Sequence, residues 1–519
     1  MNAEKPLSVV KSSVLALAML ATAPVFAAVT IDIDPAKPGA VINKNVYGQF
    51  AEHLGTGVYE GMWVGPKSNI PNTRGWRNDV VGALKELHVP LVRWPGGCFA
   101  DVYHWRDGIG PQDKRPSNVH SNGSVEQINA VGTHEFFDLI DMLGADAYVN
   151  GNVGTGSVQE MSDWVEYMTS ESGSPLARLR AQNGREKPFK VAYFGIGNEL
   201  WGCGGNMKPD YYANLYSNYE AFLRAPAQSR PKMIASGGSG FDTTWTDVLS
   251  KELKGRTIGI SVHQYTIAGA TWEDKGAALG FKEGEWISIL ANTLKMDQLI
   301  KDHVAVLDKT DPEKKIGMMI DEWGTWYDDA DKGARSALFQ QNSLRDALVA
   351  ALNFHIFHEH AERVPLTTIA QMVNVLQAMI LTDKEKMVLT PTYYAFQMYV
   401  PFQDATSLPL AIKDNTRYTL GEVTIPGVSA SAARAKDGKL YLALVNTDPH
   451  KPVDVAVNVA GTKVKGAVGR VLTAAAMDAH NSFQNPQAIK PAAFSARAAG
   501  GKLSINVPAK AVMVVALKE

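Results

Sequence analysis

The sequence of 519 residues predicts an α/β protein: a (β/α)₈ TIM barrel followed by an antiparallel β-sandwich domain. Eight short apolar runs between residues 46 and 375 alternate with long segments of helical periodicity, as such a barrel requires. Past residue 391 the long helical periodicity ends, and short alternating runs separated by Gly, Pro and Asn follow. A doubly wound open sheet is the alternative, but no GxGxxG motif follows the first run.

The first 27 residues are predicted to be a signal peptide rather than part of the fold. Lys5 and Lys11 precede the apolar run VLALAMLATAPVFA, which ends in small residues. The run is short for a membrane span, although an uncleaved anchor is the alternative. We therefore expect an exported protein, periplasmic or extracellular, with no membrane association after cleavage.

The remaining chain is divided into three parts. Residues 28–46 alternate between apolar and polar side chains, and we expect them to form strands that pair with the β-sandwich. Residues 47–390 are predicted to be the barrel and residues 391–519 the sandwich. The eight predicted barrel strands are residues 46–53, 89–97, 145–153, 190–199, 231–238, 257–265, 315–323 and 366–375.

The composition excludes some functions. The chain is 45% hydrophobic and 20% charged with a net charge of −2, which is typical of a soluble globular protein. No basic block indicates nucleic acid as a partner.

Polar side chains follow the predicted strands at the end where active sites of (β/α)₈ barrels form. Two of them are carboxylates next to aromatic residues: Glu199 in GIGNELWGCGG and Glu322 in IGMMIDEWGTWY. Cleaving a glycosidic bond requires one carboxyl group as acid and a second, ionised one as nucleophile or base. The pair therefore predicts a carbohydrate-cleaving site.

Neighbouring side chains suit the same chemistry. Asn198 can hydrogen-bond the sugar hydroxyl beside the reacting carbon, and Tyr265 can hold the nucleophile ionised by donating a hydrogen bond. Arg93 either contacts the sugar or pairs with a carboxylate beneath the site.

Metal, serine and phosphate chemistry find no support in the sequence. His355, His358 and His360 do not form an HExxH motif, and we interpret them as surface or packing residues. No GxSxG occurs, and the GGSG loop at 237–240 has no lysine to bind phosphate. Cys98 and Cys203 are placed at the same barrel end, and the sequence leaves open whether they form a disulfide.

Taken together, the motifs resemble the α-L-arabinofuranosidases of glycoside hydrolase family 51. The stretches that carry the resemblance are residues 47–55, 92–111, 195–205, 261–265, 321–327 and 371–374.

The resemblance implies a retaining double displacement without a metal or organic cofactor. Glu199 would be the acid/base and Glu322 the nucleophile. Other residues would bind arabinose or support the two glutamates: Glu52, Arg93, Cys98, Asn198, His263, Tyr265, Trp326 and Gln371. A cysteine thiol at residue 98 is a poor hydrogen-bonding group for a sugar.

The resemblance also implies the substrate and the assembly. The substrate would be an arabinose-containing oligo- or polysaccharide from plants, cleaved at terminal non-reducing α-L-arabinofuranosyl residues. The chain would form a trimer or hexamer.

Two alternatives remain at this stage. The first is an endo-β-1,4-glucanase, endo-xylanase or β-xylosidase with the same pair of glutamates but different loops, such as residues 56–73 and 272–286. The second is a non-catalytic sugar-binding protein built on the same barrel.

Overall fold

A computed structural model of the protein describes Met1 and residues 29–119, 126–332, 336–500 and 502–519. The predicted signal peptide, apart from Met1, lies outside the described residues. Within the described ranges, none of the helices combines the length and apolar character that crossing a bilayer requires.

Eight parallel strands close into a barrel in chain order, which confirms the predicted barrel. Six strands lie within the predicted runs, while strands 6 and 7 extend one and two residues past them, to Thr266 and Thr325. We number them 1 to 8: Gly48–Phe50, Leu91–Trp94, Asp146–Gly151, Val191–Ile196, Lys232–Ala235, Gly259–Thr266, Gly317–Thr325 and Leu366–Ile369. Helices cover the outside of the barrel, so the strands are largely buried on both faces and mostly apolar, with polar residues concentrated toward their carboxyl ends.

The helices begin where the sequence supplies suitable caps. The side chains of Ser157, Ser174 and Thr390 each accept a hydrogen bond from the first turn of a helix. The α-helices are Asn78–Glu86, Thr133–Leu143, Val158–Thr169, Pro175–Gln182, Pro209–Phe222, Thr244–Glu252, Glu283–Thr310, Asp328–Asp331, Leu344–Glu359 and Pro391–Tyr399. Short 3₁₀ helices are Lys44–Tyr47, Cys98–Val102, Trp105–Gly108, Gln112–Lys114, Ala227–Ser229 and Val400–Phe402.

The last helix differs from the prediction, which placed residues 391 onward in the sandwich. Pro391–Tyr399 is a helix that packs against Leu344–Glu359. All of its residues except Gln397 are buried. A helix buried on all sides has no polar stripe, so its sequence lacks the amphipathic pattern that reveals a helix.

The sandwich consists of a six-stranded and a four-stranded sheet. The first contains Thr406–Leu408, Val428–Arg434, Leu440–Asn446, Gly466–Leu472, Ala492–Arg497 and Ala511–Lys518. The second contains Val29–Ile33, Leu410–Lys413, Val453–Val459 and Leu503–Val507. Separate two-stranded ribbons are Asn72–Thr73 with Trp76–Arg77, Asn118–Val119 with Glu126–Gln127, Ile380–Asp383 with Lys386–Leu389, and Arg417–Leu420 with Val423–Pro426.

The first strand, Val29–Ile33, is an internal strand of the four-stranded sheet. It pairs antiparallel with Leu410–Lys413 and parallel with Val453–Val459. The sandwich therefore contains one parallel pair, whereas an antiparallel arrangement was predicted. The side chains of the strand alternate between buried and partly exposed, and Val29, Ile31 and Ile33 are buried in the sandwich core.

This alternation predicts the cost of emptying one core position. Ile31 is fully buried, so Ile31→Ala should destabilise the protein by about 2–5 kcal/mol and lower its melting temperature. Asp32→Ala is the matched control, because Asp32 faces solvent and its contacts with Lys413 and Asn458 are exposed. Thermal unfolding followed by circular dichroism measures both variants. Equal melting temperatures for Ile31→Ala and Asp32→Ala would contradict the central position of this strand.

Candidate active site

The predicted site residues gather at the carboxyl end of the barrel. Strand 2 contributes Arg93, strand 6 His263 and Tyr265, and strand 7 Glu322. The remaining residues lie just past strands 1, 2, 4, 7 and 8: Glu52, Cys98, Asn198, Glu199, Trp326 and Gln371.

Arg93 lies beneath the two glutamates and is 1% exposed. Its Nη1 donates to Glu322 Oε1 at 2.9 Å, and its Nη2 donates to Asn198 Oδ1 at 2.6 Å. Asp321 Oδ2 lies 3.5 Å from Nε, and the Asn150 amide, with its oxygen facing the guanidinium, accepts at 2.8 Å. Burial would lower the pKa of Arg93, but the charges of Asp321 and Glu322 hold it above its usual range. Arg93 is therefore a buried cation that supports the site from below.

Asp321 is a member of the site that the sequence did not predict. Consecutive residues of a regular strand point to opposite faces, so a regular strand would turn only one of Asp321 and Glu322 toward the barrel interior. The pairing of strand 7 with strand 8 shifts register between Ile320 and Trp323. This bulge adds a residue to strand 7 and lets both carboxylates reach Arg93.

The carboxylate of Glu322 accepts hydrogen bonds from two donors. Arg93 donates to Oε1, and the Tyr265 hydroxyl donates to Oε2 at 2.9 Å. Glu322 is only 5% exposed, so these two contacts replace most of its hydration.

His263 joins the two glutamates. Its Nδ1 lies 2.7 Å from Glu199 Oε1 and 3.5 Å from Glu322 Oε2, and its Nε2 lies 3.2 Å from Asp321 Oδ1. Burial would lower the pKa of His263, but Glu322, Asp321 and Glu199 raise it to about 10. The ring is thus an imidazolium at neutral pH. One oxygen of Glu199 and one of Glu322 lie within 4.8 Å of each other beside this ring.

Glu52 is a third carboxyl group near the nucleophile. Its Oε1 accepts hydrogen bonds from the backbone N–H groups of Gly97 and Phe99, and its Oε2 accepts one from Gln371 Nε2 at 2.9 Å. Burial, together with the charge of Glu322, raises the pKa of Glu52 to about 7. Glu52 can therefore carry a proton close to neutral pH and meet a sugar hydroxyl as donor or acceptor.

Asn198 is oriented from two sides. Its side-chain oxygen accepts from Arg93, and its backbone N–H donates to Asp101 Oδ2 at 2.8 Å. Burial raises the pKa of Asp101 to about 7, although backbone N–H groups, that of Asn198 among them, act in the opposite direction. Among the described residues, nothing accepts a hydrogen bond from Asn198 Nδ2, although the side chain is buried. Buried donors are rarely left unpaired, so this N–H₂ group is available to a ligand.

Asp101 and Asn150 were not predicted as site residues. Asp101 accepts hydrogen bonds from the backbone of residues 153 and 154 as well as Asn198, so it joins the loops after strands 2, 3 and 4. The only sequence signal for Asn150 was its place at the end of strand 3, which many solvated side chains share.

Cys98 and Cys203 form a disulfide with their Cα atoms 5.6 Å apart. The bond joins the loop after strand 2 to the loop that carries Glu199, and Cys203 Sγ lies 3.5 Å from Glu199 Oε2. Cys98 consequently has no thiol hydrogen to donate to a sugar, and its predicted role is limited to contact through a disulfide sulfur.

Two groups among the described residues have the spacing of metal ligands: Glu199, His263 and Glu322, and Cys98, Glu199 and Cys203. In the first, the imidazolium of His263 repels a cation. In the second, the sulfurs are bonded to each other. The chemistry available to these residues is therefore acid–base and nucleophilic.

A separate cavity of about 660 Å³ lies between helix Leu344–Glu359 and the sandwich. His355 and His358 line it, but both nitrogens of each ring contact hydroxyl groups of Ser or Tyr side chains. Burial lowers the pKa of both histidines, so they are neutral packing residues, as the sequence suggested.

Known proteins share this arrangement along nearly the whole chain. The sequence models of the "Alpha-L-arabinofuranosidase 1 domain" and the "Alpha-L-arabinofuranosidase C-terminal domain" match residues 83–270 and 321–511. An "Intracellular exo-alpha-L-arabinofuranosidase" of Bacteroides ovatus is 45% identical over 98% of this chain and 99% of its own. The chain belongs to the α-L-arabinofuranosidases. It is thus a glycoside hydrolase, as the resemblance implied.

Solved structures place it within family 51. The crystal structure of the family 51 arabinofuranosidase from Xanthomonas axonopodis pv. citri has a TM-score of 0.92 and 49% identity, covering 95% of this chain and 100% of that one. An α-L-arabinofuranosidase from Thermotoga maritima, solved as an arabinose complex, has a TM-score of 0.81 and 28% identity, with the same coverage of both chains. These likenesses give no support to the endo-glucanase, xylanase or β-xylosidase alternative.

The predicted export is wrong. The Bacteroides ovatus relative, which matches almost the whole of this family 51 chain, is named an intracellular enzyme, and this contradicts a periplasmic or extracellular location. The prediction rested on two lysines before a short apolar run, a composition that does not by itself determine the compartment.

The backbone at Gly97 lies so close to the carboxylate of Glu322 that we expect glycine to be required at this position. A Cβ atom there would lie 2.8 Å from Glu322 Oε1, so the nucleophile must shift in Gly97→Ala. We expect kcat on an aryl α-L-arabinofuranoside to fall by about tenfold or more, since a displacement of about 1 Å at a reacting group costs about that much or more. Gly82→Ala is the control, because no described atom lies within 4 Å of the added Cβ. A wild-type kcat for Gly97→Ala would refute this packing.

Proposed function

We propose that the protein releases terminal α-L-arabinofuranosyl residues from the non-reducing ends of arabinose-containing plant oligo- or polysaccharides, with retention of configuration. The observation that carries the proposal is the pair Glu199 and Glu322, whose oxygens approach within 4.8 Å beside Nδ1 of His263. Retaining glycosidases need their two carboxyl groups about 5–5.5 Å apart, whereas inverting enzymes need room for a water between them.

Burial of the site supports exo action. Glu322 and Glu52 are only 5% and 7% exposed, which favours a site that encloses one terminal sugar over an open cleft. Such a pocket accepts one terminal sugar, whereas an endo-enzyme must bind chain on both sides of the reacting bond.

The reaction proceeds in two steps. In the first, a carboxylate oxygen of Glu322 attacks the anomeric carbon while Glu199 gives its proton to the departing glycosidic oxygen. In the second, Glu199 takes a proton from water, whose oxygen displaces Glu322 and releases arabinose. The 2.7 Å contact between His263 Nδ1 and Glu199 Oε1 lets a proton move between the two groups.

Other residues bind the sugar or hold the glutamates. Asn198 Nδ2 donates to the hydroxyl beside the anomeric carbon, and this hydrogen bond strengthens in the transition state. Glu52 and Gln371 bind further hydroxyl groups, Arg93 and Tyr265 hold the carboxylate of Glu322 in place, and Trp326 lines the leaving-group side.

The assembly is a further part of the proposal. Family resemblance implies a trimer or hexamer, and light scattering of the purified chain tests it: a monomer mass rejects this part.

The substrate assignment predicts the outcome of a panel of 4-nitrophenyl glycosides. We expect kcat/KM to be highest for the α-L-arabinofuranoside and much lower for the β-D-xylopyranoside, β-D-glucopyranoside and β-D-galactofuranoside, because Glu52, Asn198 and Gln371 present fixed polar groups that suit one arrangement of sugar hydroxyls. Release of 4-nitrophenol measures each rate. Preference for one of the other three sugars would reject the assignment while leaving the two glutamates in place.

The two roles predict opposite products when azide replaces the missing carboxylate. Glu322→Ala should lower kcat by several orders of magnitude, and azide should restore turnover to give an arabinosyl azide of inverted configuration. Glu199→Ala should retain activity on aryl substrates with good leaving groups, and azide should give the product of retained configuration. NMR of the anomeric proton distinguishes the products. A near-normal rate for Glu322→Ala would remove the nucleophile assignment and favour a sugar-binding protein.

A further inference from the structure

Trp272 exposes 53% of its large apolar side chain on the loop between strand 6 and helix Glu283–Thr310. This loop leaves the carboxyl end of strand 6, the same end that carries His263 and Tyr265. Trp is enriched at binding surfaces, because its ring combines a large apolar face with a polar N–H group.

A row of rings leads from the nucleophile to Trp272. The Tyr265 hydroxyl contacts Glu322, the Tyr265 ring lies 5.2 Å from that of Trp326, and Trp326 lies 5.7 Å from Trp272. Both ring pairs meet edge to face. Trp272 is therefore the outermost of the three rings and lies one position farther from the reacting bond than Trp326.

Lys275 holds Trp272 in place. Its Nζ donates to the Trp272 carbonyl oxygen and to Asp331 Oδ2, each at 2.6 Å. The same ammonium lies 5.5 Å from the ring centre of Trp272 and 5.7 Å from that of Trp326. Lys275 is 8% exposed, and a lysine is buried to this degree only when its charge is paired.

Asp331 links the indole of Trp326 to Lys275, which contacts Trp272. Its Oδ2 accepts from Lys275 and its Oδ1 accepts from Trp326 Nε1 at 2.9 Å. Backbone hydrogen bonds from residues 268 and 269 to the Lys275 carbonyl oxygen, and from Asp328 to Gly276, close the loop beneath the ring. The exposed ring of Trp272 is thus a rigidly held surface, which loses little conformational entropy when a ligand binds.

We propose that Trp272 forms a second leaving-group subsite, where its face stacks on a pyranose ring of the saccharide that bears the arabinofuranosyl group. The flat apolar side of a pyranose ring matches an indole face in shape and polarity. The inference rests on the proposed function. It adds that the natural substrate extends at least two sugars beyond the bond that is cleaved, and that Lys275 is a positioning residue.

The test compares two substrates that share the same terminal arabinofuranosyl group. One is 4-nitrophenyl α-L-arabinofuranoside, which has no sugar beyond the reacting bond, and the other is an arabinofuranosyl-substituted xylo-oligosaccharide. For Trp272→Ala, the ratio of kcat/KM on the oligosaccharide to kcat/KM on the aryl glycoside should fall about tenfold, the scale of losing one stacked ring. Trp272→Phe should recover part of that ratio.

Lys275→Met removes the charge and keeps most of the side-chain length. We expect it to raise KM for the oligosaccharide while kcat on that substrate stays close to wild type, since the subsite is displaced and the chemistry is not. Phe222→Ala is the matched control: Phe222 is 62% exposed but ends helix Pro209–Phe222 at the opposite end of the barrel. For Phe222→Ala, the ratio of kcat/KM on the oligosaccharide to kcat/KM on the aryl glycoside should equal that of the wild type.

The outcomes are distinguishable. A wild-type enzyme inactive on both substrates rejects the proposed function itself. Equal losses on both substrates for Trp272→Ala, or no loss on the oligosaccharide, overturn the subsite while leaving the proposed function standing. A change in particle mass on light scattering of Trp272→Ala would assign the ring to a subunit interface instead and also overturns the subsite.

Discussion

The active site depends on one buried cation, the guanidinium of Arg93. Its Nη1 donates to Glu322 Oε1 at 2.9 Å, and Asp321 Oδ2 lies 3.5 Å from its Nε, so one cation serves two adjacent acidic side chains. Arg93 lies beneath these acidic side chains, and the imidazolium of His263 lies between Glu199 and Asp321. Both cations offset the negative charge of the site. Removing one charged partner from such a buried array leaves another charge uncompensated. The stability lost in this way exceeds the stability that the intact array contributes. The site can therefore be rearranged only as a unit.

Glycine and a strand bulge provide the space for this array. Strand 7 brings two consecutive carboxylates inward because it carries an extra residue, and Gly96 and Gly97 let the backbone approach where a side chain would collide with Glu52 and Glu322. The geometry thus depends on backbone features as much as on the ionisable residues. The disulfide between Cys98 and Cys203 then joins two of the loops that surround the pocket.

The sequence predicted the features that depend on periodicity and missed those that depend on local backbone geometry. Buried parallel strands are continuous apolar runs, so all eight were found, and Glu199 and Glu322 stood out because each follows such a run. Asp321 was missed because alternation in a regular strand places it outside the barrel. The Cys98–Cys203 bond stayed open because only a Cα separation decides it, and helix Pro391–Tyr399 was missed because burial on all sides removes its amphipathic pattern. Export was predicted wrongly from composition alone.

The internal position of strand Val29–Ile33 has a consequence for how the protein is made. Its neighbours, residues 410–413 and 453–459, leave the ribosome only after the whole barrel has been synthesised. Until then the strand has two unpaired edges, which can associate with other chains. The four-stranded sheet closes only when both ends of the polypeptide meet, so the sandwich is not built from one uninterrupted segment, whereas the barrel is. A chain cut between barrel and sandwich would leave the sheet without an inner strand and the barrel with an apolar tail.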